Sequence, residues 1–147
     1  MRDTIEREII IRAPVERVYN AIAEPEQIVR WFPDAIEGRL KPGERPTLDF
    51  GEYGKSSIYV EAAEPHHYFA YRWRPGSDSL DTGGDVLQQP NTLVEFRLEP
   101  VAEGTRLKLT ESGFASLPAE VYEKAFKDNN EGWDYMLDRL AKYAAQA

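Results

Sequence analysis

The stretch PAEVYEKAFKDNNEGWDYMLDRLAKYA, Pro118 to Ala144, decides the architecture of this chain. Tyr122, Phe126, Trp133, Met136, Leu137, Leu140 and Tyr143 fall on one helical stripe, with charged residues between them. At 1.5 Å per residue, a continuous helix of ~27 residues is ~40 Å long, enough to cross a whole sheet. Asp128-Asn129-Asn130-Glu131-Gly132 weakens its middle. A kink or local break is expected near Gly132, because Gly costs about 1 kcal/mol against Ala inside a helix. A helix with a single apolar stripe needs a single apolar surface to cover.

Working back towards the N-terminus, the period changes from helical to two. Strands are expected at Ala35 to Leu40, Thr47 to Gly51, Ser56 to Ala63, Tyr68 to Arg74, Thr92 to Glu99 and Thr105 to Ser112, separated by turn residues such as Lys41-Pro42-Gly43 and Ala102-Glu103-Gly104. Short spacers favour antiparallel pairing, since parallel neighbours need crossovers of a dozen residues or more. Alternation turns Leu48, Phe50, Ile58, Val60, Phe69, Tyr71, Trp73, Val94, Phe96, Leu98, Leu107, Leu109 and Glu111 inward. Asp49, Glu61, Arg72, Glu95, Arg97 and Lys108 face out. One face of one antiparallel sheet is therefore buried. The polar stretch Gly76 to Asn91 is long for a hairpin loop and reads as mobile or functional.

Ile5 to Arg12 supplies the remaining strand, followed by two short helices, each opening near a proline: Val15 to Ala23 after Pro14, and Pro25 to Phe32, which stops at Pro33. The expected fold is α+β: a seven-stranded antiparallel sheet curved around the long C-terminal helix, in one domain spanning residues 1–147. With 147 residues, one such core is sufficient.

Composition narrows the function. Against 18 Lys+Arg stand 26 Asp+Glu, a net charge of −8 that repels phosphate backbones, so neither nucleic acid nor a membrane surface is an expected partner. No cysteine is present, which excludes disulfides, thiolate nucleophiles and Cys-type zinc sites and suits a reducing cytoplasm. The charged N-terminus predicts no signal peptide, and no apolar run reaches the roughly 18 residues of a spanning helix.

Four segments carry a resemblance: Arg12-Ala13-Pro14-Val15-Glu16-Arg17-Val18-Tyr19, Trp31-Phe32-Pro33, Gly104-Thr105-Arg106-Leu107-Lys108-Leu109-Thr110-Glu111-Ser112-Gly113-Phe114 and Glu131-Gly132-Trp133. Together they resemble the START-like, helix-grip superfamily (SRPBCC). Within it they are most similar to the branch named after the activator of the ninety-kilodalton heat-shock chaperone's ATPase. The resemblance spans essentially the whole chain. It implies a helix-grip fold and, for function, a binder of lipophilic molecules, a chaperone-interacting module, or a polyketide-cyclase-like enzyme. Binding rather than catalysis is the expectation, by a monomer or weak homodimer with an apolar small-molecule ligand.

The candidate ligand-binding residues are the inward aromatics and their neighbours: Trp31, Phe32, Phe50, Phe69, Tyr71, Trp73, Phe96, Leu109, Glu111, Phe114, Tyr122, Phe126 and Trp133. They read equally as a packed core or as the walls of a cavity. Tyr71, Trp73 and Trp133 would each bring a flat surface and one donor. Arg7 and Glu111 are the charged residues that alternation turns inward, and they form a possible polar pair, since a buried carboxylate requires partners. No cofactor, metal or catalytic residue is expected. His66-His67 point oppositely in extended chain. Asp78, Asp81 and Asp85 lack the spacing of a calcium loop. Ser56, Ser57, Ser79 and Ser112 have no nucleophile elbow, and Gly83-Gly84 has no phosphate-binding motif around it.

Overall fold

A computed structural model describes residues 2–75 and 85–146. Asp78, Asp81, Ser79 and Gly83-Gly84, with most of the Gly76 to Asn91 stretch, lie outside the described residues. Strand β1 (Thr4–Ile11) leads into helices α1 (Val15–Ala23) and α2 (Pro25–Ile28). Strands β2 (Ala35–Glu37), β3 (Thr47–Asp49), β4 (Lys55–Ser57), β5 (Tyr59–Glu64), β6 (Tyr68–Trp73), β7 (Thr92–Val101) and β8 (Gly104–Ser112) follow, and helix α3 (Ala119–Ala145) ends the fold. All pairings are antiparallel, in the orders β1-β8-β7-β6-β5 and β2-β3-β4.

The expected seven-stranded sheet is thus two sheets of five and three strands, because the strand read over Ser56 to Ala63 is interrupted at Ile58. A sheet that wraps a helix must bend sharply, and one straight ladder cannot follow the bend. The register shift between Val60 and Ala62 on β5 adds to that curvature. Backbone bonds from Ile58 N–H to the Pro46 carbonyl and from Val60 N–H to the Glu44 carbonyl carry pairing past the interruption. Ile58 and Val60 remain buried, so the interior surface is continuous where the ladder is not.

Helix α3 runs unbroken for 27 residues, and the kink expected near Gly132 does not occur. Trp133, Leu137, Leu140 and Ala144 bury one stripe along its C-terminal half. Beside Gly132, the Arg7 guanidinium on β1 donates to the Asn130 carbonyl at 2.8 Å and to Asp134 Oδ1 at 2.7 Å. Packing and this clamp outweigh the Gly propensity term. Helix α2 is shorter than expected and ends at Ile28, and Trp31 Nε1–H reaches the Ala21 carbonyl at 2.8 Å, tying the following turn to α1. Gly104 opens β8 where a Cβ would stand 2.3 Å from the Ile11 carbonyl oxygen, so the residue that lets β8 close on β1 can carry no side chain.

Candidate functional site

Alternation along β8 turns Glu111 into the interior, where it is fully buried. Cross-strand register sets Val94 opposite it, and Thr92 lies two residues away on the same face, itself directly opposite Trp73 of β6. From α3, Asn129 and Trp133 approach one turn apart, the i,i+4 spacing that aims two side chains at one point. Every donor converges on the carboxylate. Thr92 Oγ1 donates at 2.5 Å and Trp73 Nε1–H at 2.9 Å to Oε2, Trp133 Nε1–H donates at 2.8 Å to Oε1, and Asn129 Nδ2 lies 3.0 Å from both oxygens. Loss of hydration pushes the Glu111 pKa up from its ordinary 4.5, and the bonds from Thr92, Trp133, Trp73 and Asn129 pull against that rise.

The hub shapes the space beside it. Between the β3–β4 hairpin, the turn after α2, the end of β6 and the middle of α3 lies a cleft of about 310 Å³. Its lining is mainly apolar: Phe32, Phe50, Trp73, Trp133 and Met136, with the bare backbone of Gly132. Lys55, Ser56, Arg74, Asp128 and Asn129 supply the polar groups, and Tyr53 stands at the rim, 69% exposed. Phe32 stacks on Trp133 with ring centroids 5.8 Å apart and meets Phe50 edge-on at 5.3 Å. Because both indole N–H groups point at Glu111, the cleft meets carbon from Trp73 and Trp133 rather than donors. A larger hollow of about 590 Å³ lies on the outer sheet face. Leu98 and Tyr68 line it among charged residues, of which Arg106 pairs with Glu99, Arg97 with Glu95 and His67 with Glu64, so no cluster of apolar rings faces it as in the cleft.

The candidate residues separate into three groups. Phe32, Phe50, Trp73 and Trp133 line the cleft. Trp31, Phe69, Tyr71, Phe96, Leu109 and Glu111 are buried behind it. Phe114, Tyr122 and Phe126 form a separate cluster near the start of α3, where Phe126 meets Phe114 edge-on at 5.1 Å and Tyr122 Oη donates to the Arg2 carbonyl at 2.6 Å. The expected Arg7–Glu111 pair is not made. Ladder register sets Ile5 opposite Glu111 and Arg7 opposite Leu109, so Arg7 reaches out to Asn130 and Asp134 on α3. The donors expected from Trp73 and Trp133 are likewise taken up by Glu111. Tyr71 Oη is buried with no hydrogen-bond partner among the described residues, and burial, with the Glu111 charge, raises its pKa well above 10.0. Sequence reading missed Tyr53, Gly54, Lys55, Arg74, Asp128 and Asn129. All but Asp128 and Asn129 sit in turns or at strand ends, where period carries no signal. Those two are polar helix residues whose facing is set by how α3 is rotated.

A family model described as activator of Hsp90 ATPase homolog 1-like protein matches residues 12–145. Among curated proteins, no significant match is found. Several solved structures share the fold. Protein MLL2253 from Mesorhizobium loti aligns with a TM-score of 0.76 at 23% identity, over 95% of each chain. The Aha1 dimer from Colwellia psychrerythraea aligns with a TM-score of 0.77 at 19% identity, over 99% of this chain and 100% of that one. DynU16, from the dynemicin biosynthetic locus, gives a TM-score of 0.78 at 24% identity, with 99% of this chain matching 48% of that one. At these identities the likeness speaks for the fold, whereas the family match covers nearly the whole sequence: the chain belongs to the activator of Hsp90 ATPase homolog 1-like family, with the helix-grip fold that its element order implies.

Proposed function

We propose that this chain binds a flat, apolar small molecule in the cleft between the β3–β4 hairpin and α3. The observation that carries this reading is the pairing of Glu111 with both indoles of the cleft wall. A wall whose donors are already satisfied gives a polar molecule little in exchange for its lost water, while an apolar one gives up almost nothing. A volume of about 310 Å³ stands at the lower end of the ~300–1,000 Å³ range of ligand sites, so two or three fused rings fit better than a sterol. A cyclase-like activity has less support, because Tyr71 and Glu111 lie behind the indoles and Arg7 is drawn to α3. Chaperone contact is supported by the family description alone. Self-association is supported by the dimer formed by the Colwellia relative.

A ligand that binds only the folded protein raises the melting temperature, with about 2.7 kcal/mol gained at a hundredfold excess over Kd. Fused-ring aromatics, flavonoids, polyketides and fatty acids screened by thermal shift and Trp fluorescence should therefore yield binders among the flat aromatics. A screen with no shift and no quenching sinks the proposal.

A further inference from the structure

Strand β4 places one hydroxyl inside the cleft wall. Ser56 stands opposite Leu48 in the β3–β4 ladder and shares the inward face with Ile58 and Val60, while Lys55 is exposed. It is 6% exposed and lines the cleft together with Phe50, Trp73 and Trp133. The side chains of Trp73, Trp133 and Asn129 are committed to Glu111. The Ser56 hydroxyl, by contrast, has no hydrogen-bond partner among the described residues. Tyr71 Oη shares that lack of a partner but is absent from the cleft lining. Unlike Tyr71 Oη, the Ser56 hydroxyl is not sealed from solvent, so a ligand that fills the cleft must meet its hydrogen-bonding need or leave it unpaired at a cost.

We propose that Ser56 reads an oxygen atom of the ligand, so that the cleft selects a fused-ring aromatic bearing a hydroxyl or carbonyl group over the bare hydrocarbon. The ring system rests on the faces of Trp73 and Trp133, and the oxygen meets Ser56 Oγ, which donates to a carbonyl and either donates to or accepts from a hydroxyl. This rests on the reading of the cleft as a ligand site. It adds a polar discriminator beside the carbon faces of the two indoles.

The test is equilibrium dialysis of 2-naphthol and of naphthalene against the wild-type chain and Ser56→Ala, with a melting curve on each protein to establish that both are folded. Wild type should hold 2-naphthol more tightly than naphthalene. Ser56→Ala should lose roughly fivefold to tenfold for 2-naphthol, the worth of one ordinary hydrogen bond, and nothing for naphthalene. Equal losses for both probes, or none for either, overturn the role of Ser56 while leaving the cleft as a binding site. If neither probe binds wild type, the cleft reading fails and the role of Ser56 falls with it.

Discussion

Glu111 concentrates the chemistry of the interior on one carboxylate, and its environment sets how stability responds to pH. Its folded pKa lies above the unfolded value of about 4.5, with desolvation as the largest cause. A carboxylate raised in this way contributes stability that is fully present below the unfolded pKa and is lost as pH rises through the folded one. Glu111→Gln does not titrate, and it offers one acceptor oxygen to donors that now share two. The variant should be less stable throughout, and the wild-type advantage should be largest near pH 4 and shrink towards neutrality. Denaturant midpoints across that range would check this, and an advantage that grows with pH contradicts it. Tyr71→Phe removes a hydroxyl without a partner among the described residues, so it should leave stability unchanged or raise it by up to about 1 kcal/mol. Any measurable loss of stability in Tyr71→Phe would contradict this. Trp133→Ala, at a residue only 3% exposed, should cost about 3 to 5 kcal/mol in urea unfolding and abolish binding of aromatic probes. The inward turn of Glu111 was legible from a period of two. Its partners were not, because alternation gives a face and not the register or helix rotation that brought Thr92, Asn129 and both indoles to it.

Among the elements, α3 shows how packing overrides local preference. Gly132 argued for a kink, and the buried stripe from Trp133 onward, with the Arg7 clamp, holds the helix continuous. The glycine has another consequence: a Cβ there meets nothing within 4 Å, and the position lines the cleft. Gly132→Leu should therefore raise the melting temperature, since Gly to Leu gains up to about 1 kcal/mol of helix propensity. The same side chain should fill the cleft and remove probe binding. A variant that loses stability while still binding probe would contradict the placement of Gly132. The hairpin β3–β4 was only half legible. Thr47 to Gly51 read as a strand, but the turn holding Tyr53 and Gly54 at the cleft rim has no period, and the interruption at Ile58 is a response to sheet curvature that no local residue announces.

For the whole molecule, element order and one-faced alternation were sufficient to place α3 across the concave face of the sheet, because an amphipathic helix and a one-faced sheet have each other as the nearest apolar surface. Whether the aromatics fill that interface or leave a space was open in the sequence. The structure resolves it by position: a filled core around Trp31, Phe69 and Phe96, and a cleft where Gly132 and the hairpin stand back from Trp73 and Trp133. The three tryptophans make this distinction measurable. In a ¹H–¹⁵N titration with 2-naphthol, the indole N–H signals of Trp73 and Trp133, which share Glu111 on the cleft wall, should move together and saturate at one Kd. The Trp31 signal, bonded to the Ala21 carbonyl in the core, should stay in place. Movement of Trp31 alone, or no movement at any concentration, would contradict the cleft as the binding site.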